Sequence, residues 1–313
     1  MIKFILYRLF ISLFVIVGAS IISFALISIV PGNSAESILS AELANDPKLE
    51  EVRFFMEKHG LHNTFLIQLS QWLKMLLKCN LGTSLRTGES VLIEFCSRFP
   101  ATLELAVSST LLAVIAALPL GILSAVKHNS LIDHISRIVS LWGVSMPNFW
   151  LALLLIWIFG VVLGLLPTYG YGEIKHLVLP AVTLGTGMSA ILMRLQRASI
   201  LEVLNKNYIR TARAKGLNEW SVIGKHAFKN TLIPVATTIG TQLAHLLSGV
   251  VIVEQIFAWP GIGHFLVDSI NTKDFPVIQG FVLIIAFFYV CINLAVDIFY
   301  ALFDPRIRYG GRN

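Results

Sequence analysis

Six long apolar intervals, separated by shorter polar ones, run along most of the chain. None of them contains Asp, Glu, Lys or Arg. At about 1.5 Å of helix per residue, intervals of this kind are long enough to cross the roughly 30 Å hydrocarbon core of a bilayer. The pattern predicts an all-α, polytopic membrane protein with six transmembrane helices, placed at residues 9–30, 105–126, 138–166, 176–193, 230–253 and 275–296.

The polar intervals divide the chain into three predicted segments. Residues 1–30 form an N-terminal transmembrane helix, and residues 31–100 form a hydrophilic extracytoplasmic segment. Residues 101–313 form a core of five transmembrane helices with a long polar loop at 194–234. Within 66–77, leucines recur at helical spacing beside Gln and Lys, which predicts an amphipathic helix lying on a membrane surface or packing on its neighbours.

Composition supports the membrane class. Of the 313 residues, 56% are hydrophobic and 13% are charged, with a mean hydropathy of +0.76. A soluble domain could not cover its surface with so few charges. The net charge of +6 is ordinary for a membrane protein whose cytoplasmic loops retain Lys and Arg, so it does not indicate nucleic-acid binding.

Lysine and arginine are distributed unevenly between the connecting segments. Fifteen lie in the N-terminus, residues 127–137, residues 194–229 and the C-terminal tail, against two in residues 167–176 and 257–276. Because short cytoplasmic loops retain positive charge, both termini and residues 194–229 are predicted to be cytoplasmic. Residues 31–100 are exempt from this count, since long loops translocate largely regardless of charge.

The polar interval at 208–234 admits three interpretations: a solvated surface loop, a DNA-binding helix-turn-helix, or a docking element for a soluble partner. A helix-turn-helix would present to DNA phosphates the basic residues Arg210, Arg213, Lys215 and Lys225. Both helices would be tethered close to the bilayer, which disfavours DNA. Small residues at 211, 212, 214 and 216 permit close approach of another protein and favour docking.

The interval also has a predicted shape. Residues 194–214 contain neither Gly nor Pro and are predicted to continue the fourth span as one helix. Gly216 would end that helix in the left-handed conformation, with Leu217 as its hydrophobic contact. Asn218 would cap the next helix, and Glu219 is favourable at its positive end. The expected product is a rigid helix, tight turn and helix.

Two motifs in this interval resemble the EAA loop of ABC-importer membrane subunits, in the form used by the peptide and nickel branch. They are RTARAKG at 210–216 and HAFKNTLIP at 226–234. Two features depart from the general form of the EAA loop: Pro234 stands further from Gly216, and Arg210 and Thr211 replace the Glu and the first Ala. Both departures resemble the form used by the peptide and nickel branch. Further matches cover nearly the whole chain: IVPGN at 29–33, LGTSL at 81–85, FPATLEL at 99–105, SMPNFWLA at 145–152, FAWPGIG at 257–263, DFPVIQG at 274–280 and DPRIR at 304–308.

The resemblance implies a type I ABC-importer (MetI-like) permease fold in the bacterial cytoplasmic (inner) membrane. The implied partners are a homologous permease subunit in a heterodimer, two cytoplasmic ATP-binding subunits and an extracytoplasmic solute-binding protein. The chain is expected to bind no cofactor and to be no enzyme, since it lacks GxxxxGK[ST]; ATP and Mg would be used by the partner subunits. The residues expected to couple to the ATPase are Arg210, Thr211, Ala212, Arg213, Ala214, Lys215, Gly216 and Leu217.

The cargo remains open between two branches of the family. SMPNFWLA and the outer turn LPTYGYGEIKH resemble the nickel branch slightly more, so nickel or a metal chelate is the favoured substrate and a di- or oligopeptide the alternative. The candidate metal contacts are His176, His245 and His264, although a lone histidine is more often a structural hydrogen-bonding group. A secondary carrier or channel is a distant alternative of another class, since it predicts charged residues within the spans and an inverted repeat.

Overall fold

The structure, a computed structural model, describes residues 2–29, 34–43, 48–58 and 63–303. Two predicted features lie outside these residues: the helix break at 31–33, and the arginines of the tail at 306, 308 and 312. Every named element of the described residues is helical, and a single isolated β-bridge joins Thr83 to Ser90. The predicted all-α class is confirmed.

The helices of the N-terminal third are α1 Ile2–Ile29, α2 Ser34–Leu43, α3 Leu49–Lys58, α4 Phe65–Leu77 and α5 Val91–Val126. Those that follow are α6 Leu131–Ser145, α7 Asn148–Leu155, α8 Ile174–Leu204, α9 Asn207–Ala214, α10 Glu219–Ser221, α11 Lys229–Ile256, α12 Ile262–Asn271 and α13 Phe275–Phe303. Two π-helical segments extend α7 and α10, Ile156–Val162 and Val222–Phe228 respectively.

Three helices of the described chain are long and apolar enough to cross a membrane: α5, α8 and the Phe275–Val296 part of α13. A fourth span results if the bent pair made of α6 and α7 with its π-helical extension counts as one. The first and fifth predicted spans coincide with α1 and α11, in which some side chains are not described. The total of six spans therefore stays a prediction.

The third predicted span differs from the straight helix expected at 138–166. Its first half begins earlier, at Leu131, and the two halves meet at an angle of 106°. The break lies at Met146, which has an extended backbone (φ −79°, ψ 125°), and Pro147. A proline disfavours the helical conformation of the residue before it, so the chain turns sharply at this point. We call this bend, residues 145–150, the elbow.

The described chain divides into two compact units. One contains residues 103–259 and the end of α13 from Ile292, and the other contains residues 2–102 and 260–291. This division rests on contacts between residues, and the predicted segmentation at residues 30 and 100 stays a prediction.

In the unit formed by residues 2–102 and 260–291, a buried carboxylate joins two of the sequence motifs. Asp274, from DFPVIQG, accepts hydrogen bonds from Ser84 Oγ at 2.5 Å and from the Leu85 N–H at 3.1 Å, both in LGTSL. Asp274 and Ser84 are each 2% exposed. The amphipathic helix predicted at 66–77 is α4, whose Trp72 packs on Phe24 of α1, so α4 packs on its neighbours.

In the other unit, α8 is the central helix and contacts α6, α7 and α11. Glycines permit the close approaches: a Cβ added at Gly121 of α5 would lie 2.8 Å from the Met193 carbonyl oxygen, and one at Gly143 of α6 would lie 3.1 Å from Ala190 Cβ. Helices α6 and α8 are therefore in near-backbone contact.

A buried ion pair at the start of α6 joins three helices of this unit. Asp133, with no exposed surface, accepts hydrogen bonds from Arg197 Nε at 2.6 Å and Nη2 at 2.8 Å. Ser124 Oγ of α5 donates to the same carboxylate at 2.6 Å, and the Asn129 N–H donates at 3.0 Å. All the strong acceptor positions of Asp133 are used, which is the condition under which a buried charge is tolerated.

Candidate functional site

The polar interval between α8 and α11 folds as two short helices around a small apolar core of its own. Ile209, Ala212 and Val222 are buried, and Val203 and Leu204 of α8 pack against them. The predicted single helix over 194–214 is wrong: α8 ends at Leu204, and α9 begins at Asn207 after an extended residue. The turn brings Ile209 back onto the end of α8, a tertiary contact that helix propensity alone does not encode.

Gly216 ends α9 as predicted. Its φ is +77°, its N–H donates to the Arg213 carbonyl oxygen at 2.9 Å, and the Leu217 N–H donates to the Ala212 carbonyl oxygen at 3.4 Å. These two bonds form the Schellman arrangement that satisfies the last carbonyls of a helix. Asn218 caps α10 as predicted, since its Oδ1 accepts from the Trp220 N–H at 3.2 Å.

An ion pair across the turn joins the two helices. Arg213 donates two parallel hydrogen bonds to Glu219, Nε to Oε2 at 3.1 Å and Nη2 to Oε1 at 2.5 Å. This bonding lowers the pKa of Glu219 below its ordinary value of 4.5. The contribution of the pair to the loop is therefore complete above about pH 4.5 and is lost as the pH falls through the lowered pKa. At neutral pH the ion pair is formed and joins the two helices across the turn.

Most of the predicted coupling residues are exposed. Arg213 is exposed and engaged in its ion pair. The other exposed residues of the set are Arg210, Thr211, Ala214, Lys215, Gly216 and Leu217. Ala212 is the exception, because it is only 7% exposed and belongs to the small core of the loop. Ala212 therefore packs beneath the exposed residues and is not itself part of the exposed surface.

Two aromatic residues that the sequence reasoning did not select also face outward here. Trp220 is 73% exposed and Tyr208 is 45% exposed. Both lie in an otherwise polar interval, and an aromatic side chain two residues after a helix cap was the available signal. We refer to the exposed residues of 208–220 as the loop surface.

The three candidate metal contacts lie in different surroundings, and their role as ligands stays a prediction. His245 is exposed, and His264 lies 3.8 Å from Asp268 through its Nε2. His176 lies against Gly170 in the turn before α8. Among the described residues, no group of three or more His, Cys, Asp or Glu could hold a metal ion.

The family model described as "Binding-protein-dependent transport system inner membrane component" matches residues 117–309. The chain belongs to this family. The match covers α6, the elbow, the loop surface and α11, so the elements around the polar interval are those of a permease. The resemblance inferred from the motifs, to an ABC-importer membrane subunit of the peptide and nickel branch, is confirmed.

Several permeases named for their transported substrates are similar to the chain over nearly its full length. The dipeptide transport system permease protein DppB of Alkalihalophilus pseudofirmus is 40% identical, covering 99% of this chain and 100% of that protein. The oligopeptide transport system permease protein AppB of Bacillus subtilis is 39% identical, covering 99% and 100%. The glutathione transport system permease protein GsiC of Escherichia coli is 40% identical, covering 93% and 94%.

A solved structure shares the fold. The crystal structure of an amino acid ABC transporter with histidines aligns with a TM-score of 0.53 and 18% identity, covering 69% of this chain and 94% of that chain. The MetI-like permease fold is thereby confirmed. The chain is a multi-pass inner-membrane permease subunit of an ABC importer whose transport depends on a binding protein.

Proposed function

We propose that the chain forms half of the translocation pathway of a peptide importer. The observation that carries this substrate class is the 40% identity, over 99% of this chain, to a permease named for dipeptide transport. Relatives named for oligopeptides and glutathione point the same way. The nickel preference drawn from two short motifs has no comparable support, and the peptide alternative replaces it.

The proposed assembly pairs this chain with a homologous permease, two cytoplasmic ATP-binding subunits and an extracytoplasmic solute-binding protein. ATP and Mg would bind to the ATP-binding subunits, and this chain would bind no cofactor. The excess of Lys and Arg in residues 194–229 supports placing the loop surface and both termini in the cytoplasm.

The loop surface is proposed as the contact with an ATP-binding subunit. Three features suit it: a turn held by Gly216 and the Arg213–Glu219 pair, small residues that permit close approach, and the protruding Trp220. Exposed aromatic residues surrounded by polar ones are typical of the residues that contribute most to binding energy at protein interfaces. The neighbouring Arg210, Lys215 and Lys225 favour a partner groove with an acidic rim.

The substrate class is tested by uptake in a bacterial strain that lacks its own peptide and nickel importers. The complete importer, expressed in that strain with its binding protein, is expected to take up a radiolabelled dipeptide and to leave ⁶³Ni²⁺ outside. The purified binding protein is then titrated separately with the dipeptide, Ni²⁺ and a nickel chelate in a calorimeter. Its affinity should be highest for the dipeptide. Nickel uptake without dipeptide uptake would refute the peptide assignment and restore the metal branch.

A further inference from the structure

An unneutralised cationic cleft lies between α6 and α8, next to the apolar elbow. Its lining is His134, Arg137, Ile138, Ser140 and Leu141 of α6 with Arg194 of α8, and its volume is about 450 Å³. A second cleft of about 500 Å³ continues from it along α6 and shares Leu141. That cleft is lined by Leu141, Trp142, Ser145, Met146, Pro147, Phe149 and Trp150.

The two arginines are brought together by the antiparallel packing of α6 on α8. Asp133 pairs with Arg197 at one end of the contact, and Gly143 meets Ala190 further along. Arg137 and Arg194 lie between these two contacts, on opposing helices. Among the described residues, neither guanidinium has a carboxylate within ion-pair distance, whereas Arg197, one helical turn away, is fully paired.

The position of the cleft along the helices places exposed positive charge within a candidate span, where a surrounding bilayer makes charge costly. Arg137 lies six residues into α6, which is about 9 Å from the helix start at a rise of about 1.5 Å per residue. It is thus further into the candidate span than the Asp133–Arg197 pair. Arg137 and Arg194 are both exposed, so an anion at the bilayer interface can reach both charges, and a guanidinium matches a phosphate group in geometry. His134 supplies no anion, because a histidine side chain is neutral or positively charged; its Nδ1 lies 2.9 Å from the Ser130 carbonyl oxygen.

The adjoining elbow supplies the apolar half of a binding site. Trp142 and Trp150 are 62% and 45% exposed, and Phe149 is 48% exposed. These side chains stand on the same continuous wall as Arg137, with Leu141 between them. A ligand that fills both clefts has an anionic head and an apolar tail.

We propose that the α6–α8 cleft binds an anionic phospholipid, with its phosphate between Arg137 and Arg194 and an acyl chain along the elbow. Basic pockets between transmembrane helices are a known way for proteins to bind anionic headgroups. The exposed surface of α6 consists mainly of large apolar side chains, including Ile138, Val139 and Trp142, which suits a lipid better than a peptide backbone with its many hydrogen-bonding groups.

The test is a lipid titration of the intact importer complex in detergent, followed by native mass spectrometry. Phosphatidylglycerol and phosphatidylcholine with identical acyl chains are the probes. Arg137→Gln and Arg194→Gln are each expected to weaken phosphatidylglycerol binding roughly tenfold, since each removes charge-assisted hydrogen bonds to the phosphate. Lys127→Gln, which removes an exposed charge from the turn before α6, is the control and should bind as the unmodified protein does.

Three outcomes would overturn the proposal. Equal affinity of the unmodified complex for the two lipids would do so without any variant, which covers the case in which the glutamine variants fail to assemble. Displacement of phosphatidylglycerol by inorganic phosphate would assign the cleft to a free anion. Displacement by a dipeptide, but not by its C-terminal amide, would assign it to the transported peptide.

Discussion

Gly216 shows how one residue determines the shape of the loop surface. Its φ of +77° is a conformation that glycine adopts without penalty, and an added Cβ would meet no heavy atom within 4 Å. A substitution there therefore acts through backbone strain and through bulk at the surface, since it creates no internal clash. Glycine at this position serves both the turn and the close approach of a partner.

We predict that Gly216→Ile strongly weakens coupling while the subunit remains in the membrane. A β-branched residue in the left-handed region costs about 1–3 kcal/mol, enough to displace the turn. Uptake of labelled peptide should fall by a factor between about five and about one hundred, because about 1.4 kcal/mol corresponds to a factor of ten. Peptide uptake and membrane abundance are the two measurements.

The matched control for this prediction is Gly224→Ile. Gly224 is also an exposed glycine of the loop with open space around its Cβ, but it does not have a positive φ. Uptake should be largely retained in that variant. Equal loss in both variants would show that added bulk, and not the left-handed turn, decides the outcome.

At the scale of secondary-structure elements, the Asp133 cluster holds α5, α6 and α8 together. The carboxylate is wholly buried and has charged or polar donors from all sides, so removing it leaves the Arg197 guanidinium without its carboxylate. The cost of such a change lies mainly in the charge left behind, and less in the bond that is lost.

We predict that Asp133→Asn lowers the free energy of unfolding by about 3 kcal/mol, the lower range for breaking a buried ion pair. The double variant Asp133→Asn with Arg197→Gln should recover a large part of this loss, because it leaves no unpaired charge. Thermal unfolding of the purified complex, followed by near-UV circular dichroism, measures both.

The exposed pair Glu202–Lys206 provides the control, since its nitrogen and oxygen atoms approach to 2.8 Å on the surface of the same region. Glu202→Gln should leave the unfolding temperature unchanged, because surface ion pairs contribute little. If the double variant at 133 and 197 loses as much stability as the two single variants together, the two residues do not act as a pair.

At the scale of the whole molecule, the proposed coupling role of the loop surface depends on how it is joined to the long helices. It protrudes from the end of α8, is stiffened by its own core of Ile209, Ala212 and Val222, and continues into α11 through a π-helical segment. A movement imposed on this loop would therefore be passed to two long helices rather than absorbed by a flexible connection.

We predict that Trp220→Ala weakens the attachment of the ATP-binding subunits. Loss of a central aromatic contact at an interface costs about 2 kcal/mol or more, or roughly thirtyfold in affinity. The measurement is a titration of purified ATP-binding subunits onto the permease dimer in lipid nanodiscs. Phe54→Ala is the control, because Phe54 in α3 is similarly exposed, at 70%, far from the loop in sequence. Unchanged affinity in Trp220→Ala would remove this residue from the proposed contact.

The sequence by itself determined the features that depend on local chemistry. Uncharged runs of sufficient length predict membrane helices, and α5, α8 and most of α13 confirm them. Gly216 and Asn218 predict a stop and a cap because the positive φ and the cap hydrogen bond involve only neighbouring residues. The family motifs predicted the permease family, since they depend on residue identity and order.

Only the tertiary structure decided which distant residues meet. Asp133 and Arg197 are separated by 64 positions, and Ser84 and Asp274 by 190, so no periodicity relates either pair. The angle at the elbow, the end of α8 at Leu204 and the burial of Ala212 likewise follow from packing between elements. Local propensity leaves such choices open, because the helix propensities of most residue types differ by less than the free energy gained on burying one apolar side chain.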